Sequence, residues 1–281
     1  MTDKGCLLEI HARLPALSGK ERKIAEFILA NPRDSVNPTM EELADKVGVS
    51  EATLFRFVRK LGYGGYQQFR IALATETIDP WESVYESDPG SDEGSTIDTV
   101  FRTDIAALER SRAAIDPGLV GRTAALVAAA PRTLFLGLGG SGIVALDAYH
   151  RFLRTGVSCS APLDFHVQLM AASQLARGDL ALLFSHTGAN KDAIALAETV
   201  RTAGATLVIV TDSPRSPLAR LADLLIAVRA GTTGPAAESY SARLVQMALV
   251  DAIYVDTMRL LGDKGVESLA RMRSAIAKRR L

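Results

Sequence analysis

The densest polar chemistry in this chain follows the apolar run Ala181–Phe184. There the sequence reads Ser185-His186-Thr187-Gly188, with Asn190 two places on. Two hydroxyls, an imidazole, a flexible backbone turn and the start of a helix can surround a phosphate without a formal cation. The hydroxyls and backbone N–H groups donate, and the helix start adds a favourable dipole. A second such turn lies upstream in Gly137-Leu138-Gly139-Gly140-Ser141-Gly142. Its glycines let the backbone approach an anion, and Ser141 brings a hydroxyl. The competing reading is that Thr187 or Asn190 merely caps a helix. Capping accounts for one polar residue, and less economically for the whole run.

A different chemistry sits near the amino terminus. Ser50 precedes EATLFRFVRKLG, whose cations Arg56, Arg59 and Lys60 face a single acid, Glu51. Helical spacing turns Leu54, Phe57, Val58 and Leu61 inward and leaves Ser50, Glu51, Thr53 and Arg56 along the early exposed side. Polar side chains there suit base edges in a major groove, while Arg59 and Lys60 suit phosphates. The GYGGYQQFR stretch that follows offers Arg70 for a further phosphate. The plain alternative is a small helical domain with no nucleic-acid role.

Other residues carry less. Glu238 precedes a long helical stretch and fits a sugar hydroxyl or a proton-transfer base, yet an acid at a helix start needs no function. His166 divides between a pocket and a surface position, and His150 reads as structural. The residues at 137–142 satisfy G-x-G-x-x-G, but no acid closes a clear second strand some 20 residues on, and no Walker lysine follows. No cofactor is therefore expected. Four histidines scattered along the chain and two distant cysteines, Cys6 and Cys159, suggest neither a metal centre nor a disulfide framework.

The elements that must position these residues follow from pattern. Near-continuous apolar runs at 132–138, 179–185 and 205–211, with a further run at 223–228, read as strands covered on both faces. A short strand at 156–160 is a further candidate. Helical stretches alternate with them, which gives a mainly parallel sheet flanked by helices. Ligands of such a fold bind beyond the carboxyl ends of the strands, where both polar turns lie. The first block is all-helical. Ser18 with Glu21 and Thr39 with Glu42 form capping boxes, and only Gly48-Val49-Ser50 separate the second helix from the third, as in a helix-turn-helix. Between the blocks, residues 77–101 hold seven acidic residues and no basic ones. Such a segment reads as a linker, with Trp81 and Tyr85 spaced for a docked turn.

The whole-chain figures set bounds. The 281 residues carry 32 Lys and Arg against 32 Asp and Glu, so net charge neither argues for nor against nucleic acid. The sequence contains no apolar run long enough for a membrane span and no signal-like start, and its two distant cysteines suit a reducing compartment such as the cytoplasm.

Taken together, these motifs resemble a known family. GLGGSG, FSHTGANKD, TDSPRSPLARLAD and ESYSARLVQMALVDAIY follow the order of the sugar isomerase (SIS) domain over about residues 118–260. Residues 1–77 resemble the helix-turn-helix domain of RpiR-family bacterial transcription regulators. The resemblance implies a helix-turn-helix domain at 1–77, an acidic linker at 78–97, a connecting helix at 98–117, a SIS domain at 118–262 and a basic helix at 263–281. It implies a regulator that binds double-stranded, palindromic operator DNA as a homodimer or homotetramer and senses a phosphorylated sugar or sugar acid. Ser141, Ser185, Thr187 and Asn190 then look like phosphate ligands, in turns that also hold Gly139, His186 and Gly188, with Glu238 near the sugar. The phosphate loop departs from the usual Ser-x-Ser-Gly by carrying Thr187 in place of the second serine. A sugar-phosphate isomerase using Glu238 or His166, or a non-catalytic scaffold, are the alternatives.

Overall fold

The computed structural model describes residues 5–36, 38–77, 95–231 and 240–277. They form two compact units, and the division falls between Val100 and Phe101.

The first unit contains α1 (Cys6–Arg13), α2 (Gly19–Ala30), α3 (Met40–Val47), α4 (Glu51–Lys60) and α5 (Tyr66–Thr77). Helices of 8 to 12 residues are marginal alone. A shared core makes them stable: Ile10, Ile24, Ile28, Leu43, Leu54, Phe57, Val58, Phe69 and Leu73 are all buried together. At the start of α3, Glu42 N–H donates to Thr39 Oγ1 at 3.2 Å and Thr39 N–H donates to Glu42 Oε2 at 2.8 Å, the reciprocal cap expected from sequence. Gly48 ends α3 at φ 72°, a left-handed conformation that favours glycine, and thereby sets the tight turn into α4.

Sequence pattern identified α2, α3 and α4 but not α1 or α5. The expectation for Arg70 is corrected as well. Its Nε donates to the Val36 carbonyl at 2.8 Å, and its guanidinium lies 5.8 Å from the Tyr66 ring centre. This cation serves the packing of the unit. The neighbouring tyrosines do the same: Tyr63 meets Phe69 edge-on at 5.5 Å, and Tyr66 Oη donates to the Pro38 carbonyl at 3.0 Å.

The second unit is built on β1 (Thr133–Gly137), β2 (Cys159–Ser160), β3 (Leu180–Phe184), β4 (Thr206–Thr211) and β5 (Leu224–Ala227). They form one sheet in the order β2-β1-β3-β4-β5, and every pairing is parallel. Helices α6 (Thr96–Ala114), α7 (Pro117–Ala129), α8 (Gly140–Phe152), α9 (Phe165–Ser173), α10 (Lys191–Ala203), α11 (Tyr240–Leu261) and α12 (Asp263–Ala277) complete the order. Alternate strand residues feed two cores. Phe135, Leu182, Phe184, Val208 and Val210 join α7, α8 and α11 on one face. Leu134, Leu136, Ala181, Leu183, Leu207 and Ile209 join α9 and α10 on the other. β1, β3 and β4 are thus apolar on both sides, which is why their sequences read as continuous apolar runs.

The helix expected at 98–117 as a connection, α6, also packs into the second unit. Ala107 of α6 is buried in the first of these cores, and Ser111 Oγ accepts from Arg229 N–H at 2.9 Å. Arg110 Nη2 donates to the Ala230 carbonyl at 2.8 Å. The acidic linker falls largely outside the described residues, as do Trp81 and Tyr85. Among the described residues no helix is long and apolar enough to cross a membrane.

Candidate functional site

In the sheet, Gly137 pairs with Phe184 and Phe184 with Val210. The turns after β1, β3 and β4 therefore leave the sheet side by side. The helix after β1, α8, packs on one face, and the helix after β3, α10, packs on the other. The two polar turns therefore diverge at the point where the strand order reverses, the place where ligands of open parallel sheets bind.

The first turn is held by glycine and by one buried amide. A β-carbon on Gly137 would lie 2.6 Å from the Ser141 carbonyl carbon, and Gly139 adopts φ 54° with ψ −127°. Gln168 of α9 is fully buried; its Nε2 donates to the Gly137 carbonyl at 2.9 Å, and its Oε1 accepts from Gly137 N–H at 3.3 Å. Ser141, half-buried, follows in the first turn of α8. Arg243 of α11 stands alongside, with its Cδ 3.3 Å from where a Gly140 β-carbon would be and its guanidinium 4.8 Å over the Tyr240 ring. Arg243 lies five residues after Glu238 in the chain, and nothing in the local sequence places it against this turn. Glu238 lies outside the described residues.

The second turn is tighter. Ser185 is 6% exposed, and its Oγ accepts from Gly188 N–H at 3.2 Å. Gly188 has φ 60°, and a β-carbon there would lie 2.6 Å from Ser216 Cβ in the loop after β4. Thr187 is exposed, its Oγ1 accepting only a long contact from Ala189 N–H at 3.4 Å. Asn190 Oδ1 accepts from Asp192 and Ala193 N–H at 2.8 and 3.2 Å, so this side chain caps α10. The His186 carbonyl accepts from Thr211 Oγ1 and Asp212 N–H at 3.0 and 3.1 Å. Its ring Nδ1 is buried and has no hydrogen-bond partner among the described residues. Asp212 Oδ1 accepts from Ala230 N–H at 2.8 Å. Burial lifts the Asp212 carboxyl above the ordinary aspartate range, against the opposing pull of that hydrogen bond and of His186, Arg110 and Arg229. His166 and His150 are both exposed.

In the first unit, Ser50, Glu51, Arg56, Arg59 and Lys60 are exposed on α4. Thr53 is not: it is 8% exposed and its hydroxyl lies 2.9 Å from Ser50 Oγ, so the expectation that it shares the exposed side is corrected. Ser50 also accepts from Thr53 N–H at 3.4 Å, and these two residues act on each other at the helix start. Phe55, passed over in the sequence because it is apolar, is 42% exposed beside Arg56. Such a ring suits a thymine methyl. Arg59 Nη1 donates to the Gly64 carbonyl at 3.1 Å, and Lys60 Nζ to Glu21 Oε2 at 2.9 Å. A groove beside this surface is lined by Ser18, Gly19, Lys20, Glu21, Thr53 and Arg56.

Residues 4–79 match the helix-turn-helix domain of the rpiR family, and residues 126–256 match the SIS domain. The HTH-type transcriptional regulator HexR of Pseudomonas aeruginosa is 33% identical over 252 residues, which cover 89% of this chain and 88% of HexR. The chain belongs to the RpiR family of transcriptional regulators. The Escherichia coli regulator RpiR is 31% identical over 249 residues, 87% of this chain and 83% of its own length. Among solved structures, Vibrio vulnificus NanR complexed with ManNAc-6P superposes with a TM-score of 0.80 and 26% identity, covering 98% of this chain and 99% of NanR. For this RpiR-family chain, α3 and α4 are the helix-turn-helix pair and the parallel sheet is the SIS fold. The names of these relatives are those of regulators, which decides between the regulator and isomerase readings.

Proposed function

We propose that this chain binds a palindromic operator through α4 and that a phosphorylated sugar or sugar acid, held in the crevice between the first turn and the phosphate loop, modulates that binding. The observation that carries the proposal is the pairing of Gly137 with Phe184, which sets two hydroxyl-bearing turns next to each other at the switch point. In this reading Ser141, Ser185 and Thr187 donate to the phosphate, while Gly139 and Gly188 let backbone amides approach it. Thr187 is the best placed, since its hydroxyl is exposed and has only a weak partner. Asn190 contributes by capping α10 and orienting that helix start toward the anion. His186 and Arg243 face the sugar end, where an orphan imidazole nitrogen and a cation favour a carboxylate or hydroxyl. Glu238 belongs to the same region by sequence. That NanR was solved with ManNAc-6P supports a phosphosugar as the ligand class.

At the DNA end, Ser50, Glu51 and Arg56 address bases and Arg59 the phosphate backbone. One such module makes few contacts, so specific binding calls for a dimer or tetramer on a two-fold site, in the cytoplasm at the nucleoid. Thr53 supports the helix start rather than a base. The effector acts only if it binds the DNA-ready and DNA-released states with different affinity.

The test is a panel of sugar phosphates and phosphorylated sugar acids screened for a shift in melting temperature, then for a change in affinity for operator selected from a random library. A compound that does both, with loss of the response in Thr187→Val, supports the proposal. A full panel with no binder, or a binder whose effect survives Thr187→Val and Ser141→Ala together, contradicts it.

A further inference from the structure

Lys60, the last cation of α4, is already engaged within the protein. Its Nζ donates to Glu21 Oε2 at 2.9 Å, and the same oxygen accepts from Ser18 N–H at 2.9 Å. Arg13 Nη1 donates to the Lys60 carbonyl, so the end of α4 is held from two sides. Arg56 and Lys20, by contrast, have no ion-pair partner among the described residues, and both line the groove that contains Glu21. The cations of this surface therefore differ in kind: Arg56 and Lys20 are free to meet a duplex, and Lys60 is tied to a carboxylate.

From this arrangement, and resting on the reading that this unit binds DNA, we infer that Glu21 is a positioning residue that withholds Lys60 from the phosphate backbone and so limits sequence-independent affinity. Non-specific binding grows with each phosphate a protein neutralises, whereas base reading by Arg56 does not depend on that count. A carboxylate that removes one cation lowers binding to all sequences alike, and the operator gains relative to them. The bonds from Ser18 and Lys60 hold the Glu21 carboxyl down to about 2, so the tie joins two opposite charges throughout the neutral range, as it would for any ionised glutamate there.

The residue also caps α2, and the test separates the two roles. Glu21→Gln keeps a side-chain oxygen able to accept from Ser18 N–H, so the cap survives, but it carries no charge for Lys60. Full-length protein is titrated with a random-sequence duplex of about 40 base pairs, long enough for both heads of a dimer, over a series of salt concentrations. The expected result is a slope of log affinity against log salt steeper by about 0.9 per protomer in Glu21→Gln. Lys60→Ala in the parent background should leave the parent slope unchanged, and Glu21→Gln with Lys60→Ala should return to it. An unchanged slope in Glu21→Gln overturns the inference. So does a steeper slope that persists in the double variant, because Glu21 then acts by its own charge alone. A shallower slope in Lys60→Ala alone also overturns it, since Lys60 would already be on phosphate. Failure here leaves the regulator reading standing; failure of the parent protein to bind any duplex removes both.

Discussion

Gln168 grips both polar atoms of the Gly137 peptide, donating to its carbonyl at 2.9 Å and accepting from its N–H at 3.3 Å. A buried amide from α9 thus fixes the last residue of β1, from which the turn bearing Ser141 departs. Replacing it by leucine leaves two buried backbone groups short of a partner, at a cost of about 1–3 kcal/mol. Urea unfolding of Gln168→Leu should show that loss. The same variant should need more effector for half-maximal response, while its effector-free DNA affinity stays unchanged.

Gly188 should tolerate no side chain. Its left-handed backbone costs alanine about 1–2 kcal/mol, and the added carbon meets Ser216 as well. Gly188→Ala should lower stability by roughly that amount or more and blunt the effector response, because the Ser185–Gly188 turn must open to admit it. Calorimetric melting and an effector dose curve report the two effects separately.

Thr187 offers the cleanest probe of the phosphate loop. It is exposed, so Thr187→Val should change stability by less than about 0.5 kcal/mol. Loss of one charge-assisted hydrogen bond should weaken effector binding by about tenfold or somewhat more. Isothermal titration with the compound found by screening measures it directly.

Arg56→Ala should reduce discrimination between operator and random duplex by about 1–3 kcal/mol at fixed salt, the worth of one bidentate base contact. If both affinities fall together, Arg56 contacts phosphate instead.

The Asp212 carboxyl is raised by burial. A raised carboxyl binds its proton more tightly in the folded chain than in the unfolded one. The contribution of this carboxyl to stability is therefore greatest below the ordinary aspartate value and falls as pH rises through the window up to its folded-state value. Asp212→Asn keeps an oxygen for Ala230 N–H and should flatten the stability profile across that window. Urea midpoints measured at stepped pH check it.

Much of this architecture is written in local pattern. The strands β1, β3 and β4 are legible because burial on two faces demands unbroken apolar runs, and α3 and α4 because caps and a glycine mark their ends. The residues that escaped notice depend on long-range packing. Gln168 shares a largely apolar helix with His166 and Ser173, and nothing local says that it is the one that reaches back to Gly137. Arg70 reads as a surface cation until Val36 is seen beside it. Thr53 lies on the polar arc of a helical wheel, yet its hydroxyl turns back to Ser50. Helix α5 has a weak pattern of its own and α1 lacks a capping signal, and the two pack on each other and on the shared core.

The central claim is that an effector phosphate sits between the turns bearing Ser141 and Ser185. The most direct measurement is a crystal structure of the chain with the effector identified by screening. The account predicts phosphate oxygens within about 2.5–3.2 Å of the Ser141 and Thr187 hydroxyls and of the backbone N–H groups around Gly188. A phosphate bound away from both turns, with Gly188 N–H still closed onto Ser185, would contradict it.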